Sequence, residues 1–149
     1  MKNERQFYIC SACGNIVGLI EAGGGTLACC GQPMERLTPG SVDAAQEKHV
    51  PALKRQDCTL RVEVGSIPHP MTEEHHISWI AVAQGGATQR VTLNKTGQPN
   101  AQFCINNGPT TVYAYCNLHG LWESESMEPA VSRMVCSPEF SEGCIEFYE

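Results

Sequence analysis

A cysteine and a histidine three residues apart, Cys116 and His119, are the residues in this chain best suited to chemistry. A thiolate and an imidazole are both good transition-metal ligands. The run 111–115 predicts a strand leading into the pair, and Gly120 frees the backbone directly after it. We therefore expect the pair where a rigid element becomes a loop, a common position for a metal site. Two ligands do not make a site, so other parts of the chain must supply the rest.

A second group of possible ligands lies near the N-terminus. Cys10 and Cys13 form a Cys-x-x-Cys knuckle, and the adjacent pair Cys29 and Cys30 follows it. Two such pairs can surround one zinc or iron ion, and the spacing does not distinguish the two metals. The chain has nine cysteines, an odd number that cannot all pair within one chain, which favours metal over disulfides. Vicinal cysteines cannot both adopt the relaxed geometry of a knuckle, so we expect a distorted tetrahedron.

All five histidines follow this cysteine cluster: His49, His69, His75, His76 and His119. Most of them lie where the chain is predicted to enter or leave strands. Neutral imidazole is the commonest metal ligand in proteins, and a nitrogen-rich set joined by one thiolate suits iron, copper or zinc.

The elements that must position these residues are short strands. Residues 7–9 and 16–20 predict strands around the first cysteines, and beyond Pro51 the apolar pattern has period two. Turn residues separate the runs predicted as strands, which are 60–64, 77–83, 90–93, 101–105 and 111–115. No convincing amphipathic helix interrupts them, so the pattern predicts an antiparallel sandwich or barrel. Thr38-Pro39-Gly40 marks a domain boundary near residue 38.

Composition excludes several classes of protein. The chain has 149 residues, of which 42% are hydrophobic, and a formal net charge of -6. This suits one ordinary domain plus a small appendage. No Lys/Arg cluster could neutralise phosphates, which argues against nucleic-acid binding. No apolar run approaches the ~18 residues of a membrane span, and no signal sequence follows Met1, so we expect a soluble cytoplasmic protein.

The first module resembles a known one. The sequences CSACGNIV at 10–17 and CCGQPM at 29–34 are similar to the desulforedoxin module, which holds a tetrathiolate iron. The resemblance implies that this iron is bound by Cys10, Cys13, Cys29 and Cys30.

The following part resembles superoxide reductase in four motifs: EKHVP at 47–51, HPM at 69–71, the single His75, and CNLHGLW at 116–122. Together with the first module, the match is to the two-iron form, desulfoferrodoxin, over residues 6–122. The predicted fold is then all-β, with a small desulforedoxin-like N-terminal metal module followed by an immunoglobulin-like antiparallel β-sandwich. The resemblance implies a second iron with one axial thiolate from Cys116 and four equatorial nitrogens, from His49, His69, His75 and His119. His76 has no ligand role and is expected to be a packing or surface residue.

The resemblance also implies a reaction, the one-electron reduction of superoxide to hydrogen peroxide. Cys116 would push electron density toward an open position on a five-coordinate ferrous centre. Lys48 would attract the superoxide anion, and Glu47 would take the open position of the oxidised iron. The resemblance implies electrons from a small redox protein such as a rubredoxin, and a homodimer built partly by the first module.

Two alternatives stay open: a non-catalytic electron carrier and a zinc-stabilised binding module. The expected division is 1–38 for the tetrathiolate module, 39–122 for the catalytic sandwich, and 123–149 for an extension of unknown role. In that extension Cys136 and Cys144 are expected to be idle or packing thiols, with reversible pairing or contact with the tetrathiolate module as alternatives. Cys58 and Cys104 are expected to be small buried hydrophobic residues on strands.

Overall fold

The computed structural model describes residues 3–126 and the backbone of residues 132–136 and 144–148. One helical turn, α1 (Gln46–His49), accompanies fourteen strands in these parts of the chain. The strands of the first module are β1 (Gln6–Ile9), β2 (Ile16–Leu19), β3 (Ala28–Cys29), β4 (Gln32–Pro33) and β5 (Glu35–Arg36). The remaining strands are β6 (Pro51–Gln56), β7 (Thr59–Val64), β8 (Ile77–Gln84), β9 (Ala87–Thr92), β10 (Asn100–Cys104), β11 (Thr110–Cys116), β12 (Gly120–Ser126), β13 (Ser132–Cys136) and β14 (Cys144–Tyr148).

All of the strand pairings are antiparallel. In the first module, β1 lies between β2 and β5, and β3 pairs with β4 as a separate ribbon. The larger unit has one sheet in the order β10-β7-β6 and another in the order β12-β11-β8-β9. Strands β13 and β14 form a hairpin of their own. The predicted all-β fold, a small module followed by an antiparallel sandwich, is confirmed. No helix in the described parts of the chain is long and apolar enough to cross a membrane.

The main core lies between the two larger sheets. Successive side chains of a strand point to opposite faces, so alternate residues of β11 enter this core: Val112, Ala114 and Cys116. They pack against the inward residues of β7 and β8, which include Leu60, Val62, Val64, Ile80 and Val82. Cys116 is fully buried at the end of this inward row. The core therefore fixes the position of a predicted ligand.

The first module covers the outer face of the four-stranded sheet. The ring of Phe7 lies 4.9 Å from the ring of Trp79 and 5.3 Å from that of Tyr113. Tyr115 stacks on Trp79 with an interplanar angle of 8°. The molecule therefore has three layers. Because both faces of the central sheet are covered, β11 is buried along its whole length.

Two strands of the larger unit were not predicted from the sequence. The sequence did not predict β6, because PALKRQ is half polar, yet this strand pairs with β7 along its whole length. Nor did it predict β12, whose polar residues 123–126 continue the pairing with β11 as far as Ser126 opposite Thr110. Both strands lie at the edge of a sheet, so each has a neighbouring strand on one side only and tolerates polar residues.

The prediction for two cysteines is wrong. Cys58 lies in the turn between β6 and β7 rather than on a strand, Cys104 ends the edge strand β10, and both are exposed. Sequence alone did not show that β10 is an edge strand with one open face. The side chains of Cys136 and Cys144 lie outside the described residues, although the backbone register places these two residues opposite each other.

Candidate metal centres

Four cysteine sulfurs converge in the first module. The Sγ atoms of Cys10, Cys13, Cys29 and Cys30 all lie within 4.8 Å of one another. The separations are 3.7 Å between Cys13 and Cys29 and 3.9 Å between Cys29 and Cys30. Four sulfurs bound tetrahedrally at ~2.3 Å would be about 3.8 Å apart, so the cluster has the size of a metal site.

The backbone adapts to bring the vicinal cysteines to one point. Cys30 has a φ of 53°, in the left-handed region that a non-glycine residue rarely adopts, and Gly31 follows with a φ of 75°. Local strain of this kind is characteristic of functional sites. It lets both Cys29 and Cys30 face the other two sulfurs.

Hydrogen bonds set the protonation of this cluster. The backbone N–H of Cys13, followed by weaker effects, lowers the pKa of Cys10 to about 7. The thiol of Cys30 interacts with the sulfur of Cys13 and then with that of Cys10, which raises the pKa of Cys30 to about 12. A metal ion must therefore displace protons from this cluster, and its affinity depends on pH.

The second centre is a square of imidazoles. Neighbouring rings have centroids 4.6–5.0 Å apart and interplanar angles of 73–86°, in the order His49, His69, His75, His119 and back to His49. His49 and His75, across the diagonal, are 6.4 Å apart. The four predicted histidines thus surround one point, although they come from three separate stretches of the chain, with His69 and His75 in the loop between β7 and β8.

The facing atoms are spaced as metal ligands would be. His49 Nε2 lies 3.1 Å from His119 Nδ1 and 3.2 Å from His69 Nε2. Two nitrogens bound at right angles to one ion at ~2.1 Å would be about 3.0 Å apart. The Cys116 Sγ is 3.8 Å from His119 Nδ1 and completes the group from the core side.

Backbone carbonyls select the tautomers of two rings. His49 Nδ1 donates to Ala45 O at 2.7 Å, and His69 Nδ1 donates to Pro70 O at 2.7 Å. A carbonyl only accepts, so each ring carries its proton on Nδ1 and leaves Nε2 free as a ligand. The buried Nε2 of His75 has no hydrogen-bond partner among the described residues, although buried polar atoms are rarely left so. These nitrogens fit a metal ion.

Burial keeps the imidazoles neutral. Desolvation lowers the pKa of His69 to about 4, and it also lowers the pKa of His49 and of His75. Desolvation raises the pKa of Cys116, against the backbone N–H groups of Leu118 and His119, which lower it. These three rings are ready to bind metal at neutral pH, whereas Cys116 needs a cation beside it to lose its proton.

Residues outside the ligand set hold the loops together. Asn117 accepts a hydrogen bond from His76 N–H at 2.9 Å and donates from Nδ2 to Glu74 O at 2.9 Å. It therefore ties the 116–119 turn to the loop that carries His75. Sequence reasoning missed this role, and the only signal was the position of Asn117 between two ligands. His76 is buried and donates from Nδ1 to Thr72 O, so its predicted packing role is confirmed.

Helix α1 is anchored by close backbone contacts. Ile67 N–H donates to Glu47 O at 3.0 Å, and Gly65 N–H donates to Val50 O at 3.2 Å. Gly65 has a φ of +84°, and a Cβ there would lie 2.7 Å from Lys48 O and 2.8 Å from Glu47 O. Only glycine allows this approach. The ring of Trp122 also stacks on that of His49, with centroids 5.0 Å apart.

Glu47 and Lys48 immediately precede the predicted ligand His49. Both side chains are exposed, and both precede His49 in the same helical turn. Burial and then the neighbouring histidines lower the pKa of His75 most, and the charge of Lys48 is a smaller cause that lowers the pKa of both His49 and His75. The role of Glu47 and Lys48 at the second centre stays a prediction.

Comparison with known proteins covers both centres. The sequence model of the family described as "Desulfoferrodoxin, N-terminal domain" matches residues 2–37, and that described as "Desulfoferrodoxin" matches residues 41–125. The desulfoferrodoxin of Syntrophotalea carbinolica is 46% identical over 125 residues, covering 84% of this chain and 99% of that protein. A superoxide reductase of Pyrococcus horikoshii is 37% identical over 111 residues, covering 62% of this chain and 96% of that protein. The crystal structure of the superoxide reductase from Treponema pallidum superposes with a TM-score of 0.67 at 31% identity, covering 81% of this chain and 98% of that one.

Proposed function

The chain belongs to the desulfoferrodoxin family, and from this premise we propose that it is a superoxide reductase with two iron centres. In the reaction, superoxide takes up one electron and two protons and becomes hydrogen peroxide. The observation that carries the proposal is the square of four imidazoles closed by a buried thiol, within the segment that matches the family.

We assign the ligands as the resemblance implies. At the first centre these are Cys10, Cys13, Cys29 and Cys30, and at the second they are His49, His69, His75, His119 and Cys116. The convergence of three of these histidines with Cys116 supports the second set. The distance of 3.2 Å between the Nε2 atoms of His69 and His49 supports the inclusion of His69. When bound, a ferrous ion at the second centre supplies the electron for the reaction.

The protein contributes the electronic environment of that centre. Cys116 is fully buried, and its pKa is raised by desolvation, so its thiolate form depends on a neighbouring cation. A thiolate in a dry core is a strong electron donor, which favours the transfer of charge outward to a substrate. The backbone N–H groups of Leu118 and His119 weaken this electron donation, because they hydrogen-bond to the sulfur.

Lys48 draws the substrate in and helps to position a proton-donating water. The whole chain carries a formal charge of -6, which repels an anion such as superoxide. An exposed ammonium beside the imidazole square gives a local positive field that opposes this repulsion. Glu47, on the same helical turn, is the carboxylate we assign to cover the centre after oxidation.

Mixing the reduced protein with superoxide tests the function. Metal analysis should find two irons per chain. Pulse radiolysis should then show a transient at the second centre, with one hydrogen peroxide formed per superoxide and no oxygen released. A protein that only carries electrons would give no transient and no peroxide, and a zinc-stabilised binding module would be colourless. Release of oxygen in a 1:1 ratio with peroxide would instead indicate dismutation and overturn the proposal.

Several finer features belong to the same proposal. The electron donor is a small redox protein such as a rubredoxin. The exposed Ile67 and Leu118, which lie close in sequence to His69 and His119, support an apolar contact with the donor there.

The protein is a homodimer built partly by the first module, as the exposed Ile20 beyond strand β2 supports. The seven described cysteines form no disulfide with one another, which supports a reducing, cytoplasmic compartment. The division into 1–38, 39–122 and 123–149 stays a prediction, to be tested by limited proteolysis.

A further inference from the structure

Two exposed thiols lie side by side at the end of the sandwich away from the imidazole square. Cys58 occupies the turn between β6 and β7, and Cys104 ends β10, which pairs with β7. In that pairing Cys104 lies opposite Thr59, and Ile105 N–H donates to Cys58 O at 2.7 Å. The backbone therefore holds the two cysteines as diagonal neighbours on adjacent strands.

The two thiols also interact directly. The Cys58 thiol lies close enough to that of Cys104 to raise the pKa of Cys104, and it is the largest cause of this rise. The turn that presents Cys58 is tight, with Asp57 at a φ of 53°. Neither thiol belongs to the two ligand clusters found among the described residues. His49 precedes β6 and Cys58 follows it, so a six-residue strand of about 20 Å separates the thiols from the imidazole square.

We propose that Cys58 and Cys104 form a modification site at which hydrogen peroxide oxidises two thiols to a disulfide. The proposal rests on the proposed function only for the source of the oxidant, since peroxide is the product of superoxide reduction. Residues one step out of register on adjacent antiparallel strands have Cα atoms about 6 Å apart, which lies within the ~4.4–6.8 Å separation that a disulfide requires. The exposure of both sulfurs gives peroxide direct access.

The reaction balances with peroxide as the only oxidant. The Cys58 sulfur attacks one peroxide oxygen, the O–O bond breaks, and one water leaves a sulfenic acid on Cys58. The Cys104 sulfur then attacks the Cys58 sulfur, the S–S bond forms, and a second water leaves. The two thiols give up two electrons and two protons, and one peroxide becomes two waters. The balance is the same if the Cys104 sulfur attacks first.

The bond would tie the β6–β7 turn to the end of β10. It would close a long loop that contains strands of both sheets, including β8 and β9, and long closed loops restrict the unfolded chain most. We therefore expect the oxidised protein to melt several degrees above the reduced one.

Peptide mapping of the iron-loaded protein tests the proposal. The reduced protein is freed of reductant, treated with a few equivalents of hydrogen peroxide and alkylated. Trypsin releases Cys58 within residues 56–61, and chymotrypsin separates Cys104 from Cys116. We expect a cross-linked Cys58–Cys104 peptide in most molecules, loss of two alkylatable thiols, and reversal by dithiothreitol. Sulfinic acid on either residue, or free thiols without a cross-link, would overturn the proposal.

Variants and a second oxidant source complete the design. C58S and C104S should each keep both iron spectra and the rate with superoxide, and each should lose the cross-link and the rise in Tm. A cross-link pairing Cys58 or Cys104 with a different cysteine would count against the pair. In a parallel arm, superoxide and an electron donor replace added peroxide. If added peroxide forms the bond and superoxide does not, the proposed function fails while the dithiol site stands.

Discussion

The two metal centres are built in opposite ways. The cysteine cluster takes its ligands from one short segment, 10–30, in the turns and ends of strands of two to four residues, and Cys13 and Cys30 are exposed. The imidazole square takes its ligands from residues 49–119, and its thiol and two of its rings are buried in or beside the sandwich core. One centre is local and open, and the other is non-local and enclosed.

The difference shows which part of the molecule holds each centre in place. A segment of under ~40 residues has too small a core to fold by burial alone, so the first module depends on its metal. The second centre is held by a packed sandwich and by backbone hydrogen bonds to its rings, so its geometry precedes metal binding. The first centre therefore depends on its metal for its structure, whereas the fold positions the ligands of the second centre before metal binds.

Metal removal should separate the two centres most strongly. Binding at a structural thiolate site is worth about 10 kcal/mol, and that amount is lost from the first module on chelation. We expect the amide of Gly14, which bonds Cys10 O, to lose hydrogen-exchange protection. Amides of β8 and β11 should keep theirs. Equal loss in both regions would show that the sandwich also depends on metal.

Replacing the buried thiol should abolish activity without touching the first centre. In C116S we expect a loss of more than about 100-fold in the rate with superoxide, since changes merely around a ligand cost 10–100-fold. The sulfur-to-iron charge-transfer band of the oxidised second centre should disappear while the tetrathiolate bands remain. Survival of that band would contradict the assignment of Cys116 as a ligand.

The metal-free sandwich should be sensitive to acid in a way set by its buried rings. The pKa of His69 falls from 6.5 when unfolded to about 4 when folded, so the unfolded chain binds more protons between these values. Stability should therefore be full above pH 6.5 and fall by roughly 1–3 kcal/mol toward pH 4. Urea unfolding at pH 7 and pH 5 measures this, and H69Q should reduce the dependence. An unchanged slope in H69Q would place the effect elsewhere.

Lys48 should matter for the rate of encounter. In K48I we expect a fall of about tenfold in the bimolecular rate at low salt, with a flatter dependence on ionic strength. Pulse radiolysis across a salt series measures both. K54I is the matched control, since Lys54 is also exposed but lies along β6, away from the square. Equal effects in the two variants would attribute the change to net charge alone.

The smallest effect is expected at the first centre. C13S should remove the tetrathiolate spectrum, because one of four sulfurs is lost, while changing the rate of the reduced second centre with superoxide by less than about twofold. A larger fall would show that the first module supports the reaction, either by supplying electrons or by covering the outer face of the sheet.

Much of this architecture could be predicted from sequence. The cysteine spacing predicted the first cluster, because its ligands are near neighbours in the chain. The imidazole square was reached through motifs such as CNLHGLW, because no local rule says that His49 and His119 meet. Strand β6 was not predicted because its sequence is half polar. The exposure of Cys58 and Cys104 was not predicted because the sequence does not show which strands and turns lie at the edge of a sheet. Asn117 and Gly65 act through backbone contacts that exist only after folding.

The turn between β11 and β12 has a consequence for synthesis. All four cysteines of the first centre are present once residue 30 has been made, whereas the second centre waits for His119. At about 5–20 residues per second, the ribosome needs roughly 5–18 s to cover that interval. During this time the nascent chain can take metal at one centre only. The ligands of the open cluster are therefore available to metal before the ligand set of the second centre is complete.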